Sequence, residues 1–182
     1  MGRMDARLVI IDGYNVILRS NRLKPNENRT LKESREKLLN LLAWMMGGNN
    51  VRFLVVFDGT TEGPGRDVTS GRVLVTYSRP PETADDVIAR YVDKWIGGDE
   101  QITVVTSDIE VARHARAMGA EISLGDLFLA SAFAEIGPAG EASGSTDDKP
   151  TNLSKKEIEE WAALFKSRPK DTSAERDPDD DE

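Results

Sequence analysis

The chain has 182 residues, 38% hydrophobic and 31% charged, with no cysteine, one histidine and a formal net charge of −8. This excludes disulfides and thiolate chemistry, argues against zinc, which draws on Cys and His, and leaves room for one full domain with an appendage. No apolar run reaches the roughly 20 residues that span a bilayer, and Met1 to Arg7 offers no signal segment, so a cytoplasmic protein with no membrane partner is expected.

In chain order, the first strand is expected over 7–11, ending at Asp12-Gly13-Tyr14-Asn15. A basic, irregular stretch follows (Arg19 to Pro25). Thr30-Leu31-Lys32-Glu33 then has capping-box spacing and opens a helix that Gly47-Gly48 stops. Leu31, Ser34, Leu38, Leu41, Leu42 and Met45 form its inner stripe at helical period. A second strand over 51–57 runs into Asp58, and a loop from Gly59 to Gly71 leads to a strand over 72–77. Arg79-Pro80-Pro81 bars a helix there, and Thr83-Ala84-Asp85-Asp86 opens the next one, which Gly97-Gly98 ends. A strand over 102–106, a helix over 109–118, a short strand at 121–123 and a helix near 125–135 complete the body. Strands alternating with helices imply an α/β fold with a mostly parallel sheet and helices on both faces.

Composition then shifts. Residues 1–136 read as the domain, 137–152 as a flexible Gly/Ser/Pro/Asp linker, 153–168 as an amphipathic helix around Trp161, and 169–182 as an acidic disordered tail. Residues 141–182 carry 7 basic and 13 acidic residues against 17 and 19 in the rest. The acidity is mostly in the tail, so it does not bar a nucleic-acid partner for the body.

Three buried strands each deliver an acid to a turn: Asp12, Asp58 and Asp108. Parallel packing would collect these carboxylates at one rim, outside the carboxyl ends of the strands, where open α/β sheets bind ligands. Asp85 and Asp86 stand in a helix first turn, where the dipole favours anions. Their offset of about 100° turns Asp85 toward the sheet edge and Asp86 sideways, and helix capping is the structural alternative for the pair. Oxygen-only donors suit Mg²⁺ or Mn²⁺, ions that activate water and neutralise phosphoryl charge. Asn15 either orients a water or a phosphate, or caps a turn. Ser107 either hydrogen-bonds a metal-bound water or caps the helix that starts at Asp108, and the cap is the expected role. Arg19, Arg22, Lys24, Arg29 and Arg79 are the candidate phosphate contacts, and Tyr14 either stacks on a base or joins the core.

Other site chemistries fail on specific residues. There is neither a GxxxxGK[ST] loop nor a GxGxxG fingerprint. Tyr14 stands where a haloacid-dehalogenase-type phosphatase needs its second acid. A two-component receiver would use Asp12, Asp58 and Thr106, but no lysine lies between Lys94 and Lys149. A serine hydrolase lacks its GxSxG elbow, and His114 falls mid-helix as a surface residue.

Taken together, Ile10-Ile11-Asp12-Gly13-Tyr14-Asn15, Val55-Val56-Phe57-Asp58-Gly59, Glu82-Thr83-Ala84-Asp85-Asp86 and Val104-Val105-Thr106-Ser107-Asp108 resemble the NYN-domain family in its YacP-like branch, over about residues 6–136. The resemblance implies a three-layer α/β/α PIN-like fold and a Mg²⁺- or Mn²⁺-dependent nuclease acting on RNA. It further implies endoribonuclease cleavage of mRNA at the ribosome, as in some YacP-like relatives. The motif acids fall on Asp12, Asp85 and Asp108 as metal ligands, with Asn15, Asp58 and Asp86 in support. The alternative is a non-catalytic RNA- or ribosome-binding adaptor that keeps the acidic pocket.

Overall fold

The apolar runs read from the sequence become the inner strands of one sheet in a computed structural model of the chain. The structure describes residues 6–45, 50–59 and 68–136, and in the C-terminal part residues 156, 159–160 and 162–163. The expected linker over 137–152, the tail over 169–182 and the Gly47-Gly48 helix stop lie outside the described residues, as does most of the expected helix over 153–168.

Elements follow in the order β1 (Arg7–Asp12), α1 (Gly13–Arg19), α2 (Leu31–Met45), β2 (Val51–Phe57), β3 (Val68–Ser70), β4 (Val73–Tyr77), α3 (Ala84–Trp95), β5 (Gln101–Val105), α4 (Ile109–Ala117), β6 (Glu121–Ser123) and α5 (Gly125–Ile136). The sheet order is β3-β4-β2-β1-β5-β6, with every neighbouring pair parallel except β3 with β4. The chain builds outward from β1 through β2 and β4, then crosses back to place β5 on the other side. The strand order therefore reverses at β1, and Asp12 ends the strand at that switch point.

Side-chain alternation divides the core. Val9 and Ile11 face one way, toward a layer of α1, α2 and α5 through Val16, Ile17, Leu38, Leu42 and Leu129. Leu8 and Ile10 face the other way, toward α3 and α4 through Val87, Ile88, Val92, Val111 and Ala115. Burial on both faces is why these strands read as unbroken apolar runs. Truncating a fully buried core residue such as Ile10 costs about 2–5 kcal/mol. The result is the expected three-layer α/β/α arrangement.

Two elements correct the sequence reading. Residues 13–19, read only as a turn at Gly13 and, from Arg19, the start of the irregular stretch, form α1, which starts on the residue after Asp12. Residues 68–70, placed in the long loop, form the antiparallel edge strand β3. Among the described residues no helix is long and apolar enough to cross a membrane.

Candidate active site

Asp12 belongs to the Leu8–Ile10 side of β1, so its carboxylate emerges at the sheet rim between the start of α3 and the start of α4. It is only 7% exposed. Entry into α1 needs Gly13, because a Cβ there would lie 2.3 Å from the Phe57 ring. The chain can turn this tightly over the end of β2 only without a side chain.

The Thr106 hydroxyl organises the floor of the site. Thr106 is fully buried; its Oγ1 donates to Asp12 Oδ2 at 3.2 Å and accepts from the Asp108 backbone N–H at 3.0 Å. Asn15 Oδ1 accepts from the Ser107 backbone N–H at 2.7 Å. Asn15 thus ties the first turn of α1 to the turn after β5, and that oxygen is committed to the protein.

Asp108 is itself the N-cap of α4, its Oδ1 accepting from the Glu110 backbone N–H at 2.9 Å. This corrects the expectation that Ser107 would be the cap: Ser107 is buried, and its backbone is held by Asn15 instead. Asp58 Oδ1 accepts from the Ala84 backbone N–H at 2.7 Å and from Ser78 Oγ at 3.1 Å. Asp58 therefore anchors the N-terminus of α3 to the end of β2 and fixes where Asp85 stands.

The neighbouring acids of α3 behave differently. Asp86 closes a capping box with Thr83: its Oδ2 accepts from the Thr83 backbone N–H at 2.9 Å, while its own N–H donates to Thr83 Oγ1. Those bonds hold its carboxyl below the usual range. Asp85 is exposed as a residue, yet partial burial of its carboxyl, then the charges of Asp108, Asp58 and Asp86, push its pKa up. Burial, followed by the charges of Asp85, Asp108 and Asp58, pushes Asp12 up to about 7, against the lowering effect of the Thr106 bond. Asp12 thus shares one field with Asp85, Asp108 and Asp58. Among the described residues, no three acidic or histidine side chains stand close enough to form a ready-made metal cage.

The basic candidates are dispersed. Arg79 is exposed in the connection from β4 to α3, at the rim. Arg19 sits in the last turn of α1, at the far end of that helix from Asp12. The Arg22 guanidinium lies 4.6 Å from the Phe133 ring of α5, on the layer opposite α3 and α4. Tyr14 packs its ring on Phe57 at 4.8 Å, and its hydroxyl accepts from Arg35 Nη1 at 2.6 Å.

Sequence reading passed over two residues here. Thr106 was given a role only as a mimic of a receiver threonine, although a hydroxyl closing an apolar strand two residues before Asp108 was a usable signal. Arg35 gave no local signal, because its link to Tyr14 spans two helices.

Over residues 9–166 the chain matches the YacP-like NYN domain. It is 31% identical over 102 residues to the protein entitled "Uncharacterized protein YacP" of Bacillus subtilis (strain 168), a stretch covering 56% of this chain and 60% of that protein. The chain therefore spans less than two thirds of that relative's length. Among solved structures, it is similar to Rae1 (YacP) from Bacillus subtilis with a TM-score of 0.59 at 28% identity, covering 70% of this chain and 74% of that one. The W164L mutant of the same protein gives a TM-score of 0.61 at 26% identity, covering 70% and 76%. With the fold and most of its length in agreement, this chain belongs to the YacP-like NYN domain family, a nuclease-like, RNA-related group.

Proposed function

We propose that the protein is a Mg²⁺- or Mn²⁺-dependent endoribonuclease. The observation that carries this reading is the buried carboxylate of Asp12 at the switch point of the sheet, facing the charges of Asp85 and Asp108. A group of like charges in a partly desolvated rim is relieved by a proton or a cation. The donors are all oxygen, which fits Mg²⁺ or Mn²⁺, and Mg²⁺ uses one or two carboxylates and keeps its waters rather than demanding a closed protein cage. The spread of the three acids is compatible with that habit. Asp12, Asp85 and Asp108 would hold the ion, in part through the waters it keeps. When bound, it supplies an activated water at neutral pH and offsets charge on the phosphodiester.

The chain's own residues set the geometry. Thr106 fixes one oxygen of Asp12 and the backbone of Asp108. Asn15 locks the turn that carries Asp108, which is a positioning role. Asp58 seats the helix that presents Asp85. Action on mRNA at the ribosome is the finer part of the proposal, and it rests on the family resemblance.

The test is cleavage of structured and unstructured RNA with and without Mn²⁺, with Asp12→Asn as control. Internal cleavage that needs the ion and is lost in Asp12→Asn is the expected result. Full activity in that variant would overturn the site assignment. RNA binding without cleavage, unaffected by EDTA, would replace the nuclease with the non-catalytic adaptor. Co-sedimentation with ribosomes, before and after removal of residues 141–182, tests the ribosomal step.

A further inference from the structure

We infer that Arg35 of α2 is a contact for the RNA phosphate backbone beside the acidic rim. Arg35 is half-buried, and its Nη1 donates to the Tyr14 hydroxyl at 2.6 Å. Tyr14 lies in the first turn of α1, two positions after Asp12, and Tyr77 ends β4, so this bond places a cation at the carboxyl ends of the strands, on the layer opposite α3 and α4. Its support is rigid: Tyr14 packs on Phe57 at 4.8 Å and Phe57 on Tyr77 at 5.6 Å. The charge of Arg35 reaches Tyr77 as well, acting against the burial that raises that phenol.

Two features separate Arg35 from an arginine that only braces two helices. Among the described residues no carboxylate pairs with it, whereas Arg52, Arg90 and Arg113 each have a glutamate partner. A guanidinium also carries five N–H donors in a planar fork suited to phosphate oxygens, and the phenol accepts from one nitrogen. The rim itself is anionic through Asp12, Asp58, Asp85 and Asp108, so a polyanion approaching it needs a fixed cation nearby. An arginine held by a neutral hydroxyl keeps its full charge for that purpose. The identity of the anion as RNA rests on the nuclease reading above; the availability of the cation does not.

The experiment measures anisotropy of a short fluorescein-labelled single-stranded RNA with the full chain in EDTA, across a salt series. Arg35→Gln is expected to weaken binding roughly tenfold and to flatten the log–log salt dependence by about 0.7, the effect of one lost phosphate contact on a single strand. Arg35→Lys, which keeps the charge and loses the fork, should fall between the two and guards against a folding defect in the first variant. In the Mn²⁺ cleavage assay the same change should appear in KM, with kcat nearly retained. Unchanged affinity and salt slope in both variants would overturn the inference and leave the nuclease reading standing. RNA bound through Arg35 but never cut would overturn the nuclease reading and leave the contact standing. A wild-type protein that binds no RNA would overturn both.

Discussion

Asn15 accepts the backbone N–H of Ser107 at 2.7 Å across 92 positions of sequence. This bond joins the helix leaving β1 to the turn leaving β5, and so sets Asp12 against Asp108. Asn15→Ala leaves the N–H of buried Ser107 without its acceptor, which costs about 1–3 kcal/mol. A lower urea midpoint is expected, together with reduced cleavage as the two acids lose register. Asn15→Asp keeps the acceptor but adds a charge beside Asp12, so it should restore the bond and still lower metal-free stability. A wild-type midpoint in Asn15→Ala would show that the bond does not hold the turn.

The parts of this site that were legible in sequence are those with a local signature. Buried parallel strands announced themselves as apolar runs, and Asp12 and Asp108 followed as the acids at their ends. The separation of Asp85 from Asp86 was also legible, because one step on a helix is a fixed rotation. By contrast α1 was not: its first positions are Gly13 and Asn15 around Tyr14, poor helix formers with no capping box. The helix instead follows from burial of Gly13, Val16 and Ile17 under α2 and α5. β3 is three residues long, too short to show a period. The bonds from Thr106 to Asp12 and from Ser107 to Asn15 join residues 94 and 92 positions apart in sequence, and no local pattern encodes them.

The raised pKa of Asp12 fixes the sign of a pH effect. In the unfolded chain this carboxyl ionises near 3.8, in the folded protein near 7. Between those values the native state holds more protons, so metal-free stability falls as pH rises through the window and levels off above it. The contribution is at most about 4 kcal/mol. Asp12→Asn removes it. In EDTA the variant should match wild type near the acid end and become the more stable protein as pH approaches 7, read as urea midpoints of both proteins against pH. Parallel curves would show that Asp12 is not strained by burial and neighbouring charge.

A cation that relieves that repulsion binds the folded state alone and stabilises it by mass action. Mg²⁺ or Mn²⁺ should therefore raise the thermal midpoint of wild type, with a gain of about 2.7 kcal/mol at one hundred times the dissociation constant. The response should strengthen as pH rises through the Asp12 pKa, since the ligand must lose its proton first. Asp12→Asn should respond weakly. An equal shift in that variant would place the ion elsewhere on the surface.

Adjacent acids in α3 offer the sharpest division between chemistry and architecture. Asp85 makes no capping bond, and its carboxyl is pushed up by partial burial and by Asp108, Asp58 and Asp86. Asp86 is bonded to the Thr83 backbone N–H and hydroxyl, and its carboxyl is held down. Substituting Asn at each position removes one charge and keeps nearly the same shape. Asp85→Asn should leave metal-free stability equal or higher, because it removes an anion from the rim, while cleavage and the Mn²⁺ thermal shift fall sharply. Asp86→Asn should do the reverse. It weakens the capping box, lowers the thermal midpoint modestly, and leaves the Mn²⁺ shift and most of the cleavage in place. The stability cost of Asp86→Asn should also fade under acid conditions, because a carboxyl with a depressed pKa contributes only while it is ionised. Thermal melts of the two variants with and without Mn²⁺, beside cleavage rates, separate the roles. Equal loss of cleavage in both would mean that Asp86 reaches the reacting centre despite its capping bonds.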